Sequence, residues 1–295
     1  MRSSLPLLFS CLLVVAPRAD GDYNQRIEAA RATRLDRLTH PGGWLTLIGR
    51  LGLSDGASTL GQAPGNRIVL EAGPAHFGTI TYSPETGGVA FSPVAEGGVR
   101  VDGATATADV ELHAGGPGRR PTFVTAGTVG FYVTESGGRK GLVVRNLAHP
   151  RLIDFPGLDY YPIDPAWCIE AEWTAFDLPR TVKSTNMHRE VSDVITTGKA
   201  SFRHGGKSFE LSPLVNPDGT LLFVFADATS GTDTYPMRFL HAARPEGGKV
   251  VLDFNLAENP PCAFSPLAVC PLPPPENRLP LAITAGEKVF LPSHP

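Results

Sequence analysis

The sequence predicts a mainly β fold that opens with a single helix. Two observations lead to that class. Thirty-two Gly and 28 Pro are spread through 295 residues rather than gathered in one tract, which favours short strands and tight turns. Between them lie short apolar runs at strand spacing, and no helix-period run longer than three turns follows residue 38. The length allows one large or two small domains. A net charge of -3, with no Arg-rich stripe and no acidic tail, gives no reason to expect a nucleic-acid partner.

Residues 1–19 read as an export signal. Arg2 supplies the positive start, Leu5–Val15 is apolar apart from Pro6, Ser10 and Cys11, and Ala16 or Ala19 offers a small residue at the cleavage site. The run is too short to span a bilayer, and no transmembrane segment is expected after it. The expected location is therefore periplasmic or secreted. Leu8-Phe9-Ser10-Cys11 is a loose lipobox, but Phe9 is bulky for that motif and most of the apolar run follows the cysteine, so Cys11 is not expected to be lipidated.

Residues 20–40 form the expected helical segment, its core at 22–38. Ile27, Ala30, Leu35 and Leu38 share a face, Arg26, Arg31, Arg34 and Arg37 lie elsewhere, and Pro41-Gly42-Gly43 ends it. A small β domain is expected over 41–115, with strands at 44–48, 67–70, 79–82, 89–91, 99–101 and 108–112. Gly115-Gly116-Pro117-Gly118 reads as a linker. A larger β domain, sandwich- or barrel-like, is expected over 119–295. Its strands are placed at 122–126, 130–134, 140–146, 169–176, 180–183, 191–197, 200–203, 207–213, 221–225, 237–242, 249–254 and 281–285. Gly137-Gly138, Gly205-Gly206, Pro217-Asp218-Gly219 and Gly247-Gly248 supply hairpin turns.

The larger domain ends in a rigid loop. Pro260, Pro261, Pro266, Pro271 and Pro273–Pro275 fix φ and remove backbone donors around Cys262 and Cys270. Seven residues separate those cysteines, a spacing open to a disulfide of roughly 2–3 kcal/mol in an exported chain, or to two reduced thiols. A zinc site is not expected, because no Cys-x-x-Cys or His-x-x-x-His occurs. Cys168, beside Trp167, reads as a buried inert thiol.

Polar residues cluster at strand ends: Asp227, Thr229, Tyr235, Arg238, Asp253, Asn255 and Asn259. Asp253 and Asn255 share strand parity, and Arg238 on a neighbouring strand is placed to face Asp253. Tyr235, Arg238, Asp253, Asn255 and Asn259 are accordingly the candidate ligand-binding residues, Arg238 for a negative group and the others for orientation. The competing reading is structural, with Asp and Asn forming turns and Arg238 in a fold-fixing ion pair. No Gly-x-Ser-x-Gly, dinucleotide fingerprint or phosphate-binding loop occurs, and no cofactor is identified.

Three blocks carry a family resemblance. They are Tyr160-Tyr161-Pro162-Ile163-Asp164-Pro165; Phe225–Gly231 with Thr234-Tyr235 and Arg238-Phe239-Leu240; and Asp253-Phe254-Asn255 through Asn259–Phe264 to Glu276–Pro280 and Ala285–Lys288. Together with His40–Leu45, Leu60-Gly61 and Asn66–Leu70, they resemble the bacterial and archaeal family named domain of unknown function 1684, over about residues 40–290. Glu258 stands where that family usually has tyrosine. The resemblance implies no reaction, substrate or cofactor. Residues 58–103 are faintly similar to a forkhead-associated domain, through Gly61, Asn66–Leu70, His76, Gly78, Ile80 and Val101-Asp102-Gly103. Gln62 stands where such a domain places the phosphate-binding Arg, so the resemblance implies a fold rather than phosphopeptide binding.

The functional expectation is an exported protein that binds a small polar or anionic molecule at the open end of the larger β domain. A hydrolase using the same polar cluster is one alternative. An envelope scaffold engaging undefined protein partners through the first β domain is the other.

Overall fold

The computed structural model describes residues 20–94, 98–116 and 118–290; the expected signal segment, with Cys11, lies outside them. Helix α1 spans Asp20–Thr39. The strands of the first half are β1 (Leu47–Gly52), β2 (Gly56–Gly61), β3 (Ile68–Val69), β4 (Gly78–Ser83), β5 (Gly88–Pro93), β6 (Arg100–Val101), β7 (Ala104–Thr105), β8 (Val110–Glu111), β9 (Phe123–Ala126), β10 (Val129–Ser136) and β11 (Arg139–Asn146). A short helix α2 (Pro150–Ile153) follows. The second half holds β12 (Cys168–Thr185), β13 (Val191–His204), β14 (Lys207–Leu211), β15 (Leu214–Val215), β16 (Leu221–Phe225), β17 (Arg238–Ala242) and β18 (Lys249–Asp253).

The first eleven strands form a six-stranded sheet, ordered β1-β11-β10-β9-β6-β7, and a five-stranded sheet, ordered β3-β2-β4-β5-β8. Alternation along β10 sends Phe131 and Val133 inward, where both are fully buried. Phe131 meets Phe77 and Phe91 edge-on, each at 5.5 Å between ring centroids, and this trio joins the two sheets. Strands β9–β11 thus complete the first sandwich by pairing with β1 and β6, rather than opening the second unit as the turn-rich stretch at 115–118 led us to expect.

The sheets of the second unit are antiparallel. A four-stranded sheet, β14-β13-β12-β18, shares one core with a three-stranded sheet, β15-β16-β17, and no closed barrel is found among the described residues. Phe202, Phe223, Phe225, Leu240, Leu252 and Phe254 fill that core. On the opposite face of β16 and β17, Val224 and Phe239 are covered by Cys270, with Cys262 and Leu272 packed alongside, all from the proline loop. Burial on both faces explains the unbroken apolar run Leu221–Phe225.

Two expected breaks are absent. Strands placed at 169–176 and 180–183 are one strand, because the residues around Pro179 sit in a register shift between Ala175 and Arg180 where no ladder donor is needed. Strands placed at 191–197 and 200–203 are likewise continuous through Gly198. A Cβ there would lie 2.4 Å from Trp173, so Gly198 serves close packing rather than a turn.

Helix α1 precedes the first sandwich in sequence but docks on the second unit. Tyr23, Ile27, Arg34 and Leu38 form its buried stripe, while Leu35, expected to face inward, is 40% exposed. Arg34 takes the inward place because acceptors wait for it. It donates to Glu287 Oε1 at 2.8 Å and to the Asn259 carbonyl at 2.8 Å.

Candidate functional site

The proline loop shapes the second unit's most distinctive concavity. Its later part is stitched to the β12–β13 hairpin, where Leu272 N donates to the Thr185 carbonyl at 2.8 Å and Met187 N to the Cys270 carbonyl at 3.1 Å. Its end is pinned by the fully buried Asn277. The Asn277 amide donates to the carbonyls of Ser212 and Val224, both at 2.8 Å, and accepts from Ser212 N at 2.8 Å. Every polar atom of that amide is thereby used on backbone, which fixes the loop against β14 and β16.

Between this loop, the outer half of the hairpin and the outer face of β16 lies a cleft of 510 Å³. Arg180, Val182 and Ser184 alternate toward it along β12, and Val194 and Thr196 do so from β13, where they pair with Val182 and Arg180. Leu214, Val224 and Leu272 supply an apolar wall. Arg180 and Arg278 bring two positive charges to the lining against a single carboxylate, Glu276. Lys183 meets Asp193 at 2.7 Å, an exposed pair of little energetic weight. Arg180 stacks over Phe176 at 3.8 Å, and neither Arg180 nor Arg278 has a carboxylate partner among the described residues.

The residues singled out in the sequence do not share one pocket. Arg238 is fully buried and bonded to Asp227, not Asp253, with further donation to the carbonyls of Ile283, at 3.0 Å, and Ala285. Those carbonyls are bound by a guanidinium instead of a ladder, so the expected strand at 281–285 is absent. Asp253 and Asn255 point to α1. Tyr23 donates to Asp253 Oδ1 at 2.8 Å, and Asn255 Nδ2 donates to the Tyr23 hydroxyl at 2.9 Å. Burial, reinforced by the Asp253 carboxylate, pushes the Tyr23 phenol well above its ordinary range. The Asn259 amide donates to the Lys288 carbonyl at 2.8 Å, and its backbone N–H to Glu287 Oε2 at 2.7 Å.

Glu258 lies at the same seam. It receives Arg37 at 2.9 Å, Arg34 at 3.3 Å and His241 at 3.5 Å. Burial alone would raise its carboxyl, but the His241 hydrogen bond and the charges of Arg34 and Arg37 hold it below the usual range. A small pocket of 190 Å³ remains between these groups.

Tyr235 and the cysteines form a separate group. Cys262 and Cys270 are free thiols, and Cys262 N donates to Cys270 Sγ at 3.3 Å. A hydrogen bond from the Cys270 thiol, outweighing burial, lowers Cys262 to about 7, while the same contact and burial push Cys270 up. Tyr235 reaches the Cys262 carbonyl at 3.5 Å, and burial beside that residue pushes its phenol up to about 12. Cys262 also borders a cavity of 630 Å³ between the two β units, with Ile48 and Glu71 on one side and Phe264 and Phe290 on the other. Sequence reasoning missed both cavities, since each is lined from segments far apart in the chain. The basic residues Arg180 and Arg278 carried no spacing signal that ties them together.

No group of three or more His, Cys, Asp or Glu suited to a metal ion occurs among the described residues, and no helix among them is long and apolar enough to cross a membrane. In the first sandwich, Asn66 and His76 bind each other at 3.1 Å, and Gln62 donates to the Glu71 carbonyl, so these polar groups are spent on local loops.

No curated protein matches the sequence. The solution structure of an uncharacterized protein of Haloarcula marismortui is similar to the chain at 32% identity, over 46% of this chain and 78% of that one, with a TM-score of 0.39. Residues 153–288 match the family described as "Protein of unknown function (DUF1684)". That stretch contains the second β unit, the proline loop and the basic cleft, but not the opening motifs at 40–70. Over residues 153–288, the chain is a member of the DUF1684 family.

Proposed function

We propose that the chain binds a small organic anion with an apolar body in the cleft at the open end of the second β unit. The observation that carries this reading is the meeting of Arg180 and Arg278 over an apolar wall of Val194, Leu214, Val224 and Leu272. A volume of 510 Å³ falls within the range of about 300–1,000 Å³ that small-molecule sites occupy. Pre-fixed walls favour binding because little side-chain and loop entropy is lost on association, and the Asn277 anchor and the prolines supply them. The anion-binding role expected of Arg238 passes to the cleft arginines, since Arg238 is sealed within the fold. The hydrolase alternative has less support here. Ser184, Thr185 and Ser212 line the cleft, but no histidine accompanies them to serve as base.

The test uses the intact protein with anilinonaphthalene sulfonate and decanoate as probes, followed by fluorescence and calorimetry. Binding that weakens by about tenfold or more in a double variant, Arg180→Ala with Arg278→Ala, and that falls with added salt supports the reading. Equal affinity in wild type and variant overturns it. We also propose that residues 1–19 direct export. Amino-terminal sequencing of protein recovered from its native host should then find a start near residue 17 or 20, and an intact Met1 in the mature protein would contradict this.

A further inference from the structure

We propose that Cys262 and Cys270 form a dithiol that reduces organic hydroperoxides, with the cavity between the two β units as the entry for the peroxide. This is independent of the anion-binding cleft, which the proline loop walls off on its other side. Three observations converge. First, the two cysteines are neighbours in space: Cys262 N donates to Cys270 Sγ at 3.3 Å. Second, they are unequal in access. Cys270 is 2% exposed and packs with Val224, Met237 and Phe239, whereas Cys262 is half-buried and borders the cavity. Third, that cavity holds 630 Å³, and Phe155, Phe264, Leu267 and Phe290 make much of its wall apolar.

A recessed thiol in such a cavity is open to a small organic oxidant and closed to the protruding disulfide of another protein. The lowered pKa of Cys262 supports its role as the attacking sulfur, since the thiolate is the nucleophile. Cys270, buried behind it, is placed to resolve.

The chemistry balances over two steps. The Cys262 thiolate attacks the terminal oxygen of the hydroperoxide. The O–O bond breaks as an S–O bond forms, and the departing alkoxide takes up the proton that Cys262 released, giving an alcohol and a sulfenic acid. Cys270 then loses its proton and attacks the Cys262 sulfur. The S–O bond breaks, the S–S bond forms, and hydroxide leaves with that proton as water. Two thiols are oxidised by two electrons, and one peroxide bond is reduced. A small dithiol restores the pair.

The experiment treats the reduced, full-length protein with one equivalent of cumene hydroperoxide and maps cysteines by mass spectrometry over time. The expected result is a Cys262–Cys270 bond formed at least about tenfold faster than any oxidation of Cys168, whose thiol is pushed up by burial and by Asp253. Dithiothreitol should reverse it without unfolding. Cumene hydroperoxide should also outpace hydrogen peroxide, through the apolar wall. In a Cys270→Ser variant, dimedone should trap a sulfenic acid on Cys262; in Cys262→Ser, Cys270 should stay reduced. Should those variants misfold, the wild-type time course alone decides the matter. The proposal fails if Cys262 reacts no faster than Cys168, or if only glutathione disulfide oxidises the pair. It fails equally if a preformed bond yields to reductant only after denaturation, which would mark a structural disulfide.

Discussion

Arg238 shows what a buried charge does in this fold. Its two terminal guanidinium nitrogens donate to the Asp227 carboxylate and to two carbonyls that lack ladder partners, while Nε is buried without a partner, so one side chain ties β17 to the turn after β16 and to residues 283–285. The sequence placed Arg238 and Asp253 at neighbouring strand ends. Parity reports which face a residue takes but not which neighbour lies across from it, and here the partner sits eleven residues earlier. Asp227→Ala should cost about 3–5 kcal/mol in urea unfolding, because it strands a fully buried charge. Replacing the pair together, Asp227→Leu with Arg238→Met, should cost less than Asp227→Ala alone; a larger cost for the double variant would contradict this account. Glu258 gives a pH-dependent case. Its carboxyl is held below the usual range, so the folded state binds that proton less tightly than the unfolded chain does. Its contribution is complete above the unfolded value of about 4.3 and disappears as pH falls through the lower folded value. The difference in melting temperature between wild type and Glu258→Gln should therefore be constant near neutrality and shrink in acid. A gap that widens in acid would reverse the sign and exclude the mechanism.

At the scale of elements, the proline loop was legible in the sequence as rigid, but its attachments were not. Prolines announce fixed φ, whereas the anchor is one ordinary asparagine whose partners lie 53 and 65 residues away. Asn277→Ala removes three hydrogen bonds and leaves two buried carbonyls and one N–H unsatisfied. A loss of about 2–4 kcal/mol is expected, together with faster amide exchange at Leu272 and Ala226. Unchanged exchange there would mean that the prolines hold the loop unaided. The long strands β12 and β13 show the reverse limitation. Pro179 and Gly198 look like breakers, yet one falls at a register shift and the other makes room for Trp173. A punctuating residue marks a place where the backbone is special; whether the chain turns there depends on what packs beside it. Gly198→Ala should accordingly destabilise by more than a strand-interior alanine usually does, through displacement of Trp173.

At the scale of the molecule, the order of packing differs from the order of sequence. Helix α1 passes over the first sandwich to close the second unit, and the ion pairs Arg34–Glu287 and Arg37–Glu258 with the Tyr23–Asp253 hydrogen bond lie at that closure. Composition and turn spacing revealed a mainly β chain with a leading helix. They could not reveal which unit the helix covers, since an amphipathic stripe fits either apolar face until its buried arginine finds acceptors. The acceptors explain why Asn255, Asn259 and Glu287, all buried, belong to the architecture: Asn255 bonds Tyr23 of α1, and Arg34 of α1 bonds both Glu287 and the Asn259 carbonyl. A chain lacking residues 20–39 should leave those groups facing water or each other. Amide protection should then fall across 253–260 and 285–288, while Val124, Phe131 and Val144 in the first sandwich keep theirs, because the Phe77–Phe91–Phe131 core makes no use of the helix. Equal loss in both units would show instead that the two sandwiches fold as one cooperative body, with α1 as its common clamp.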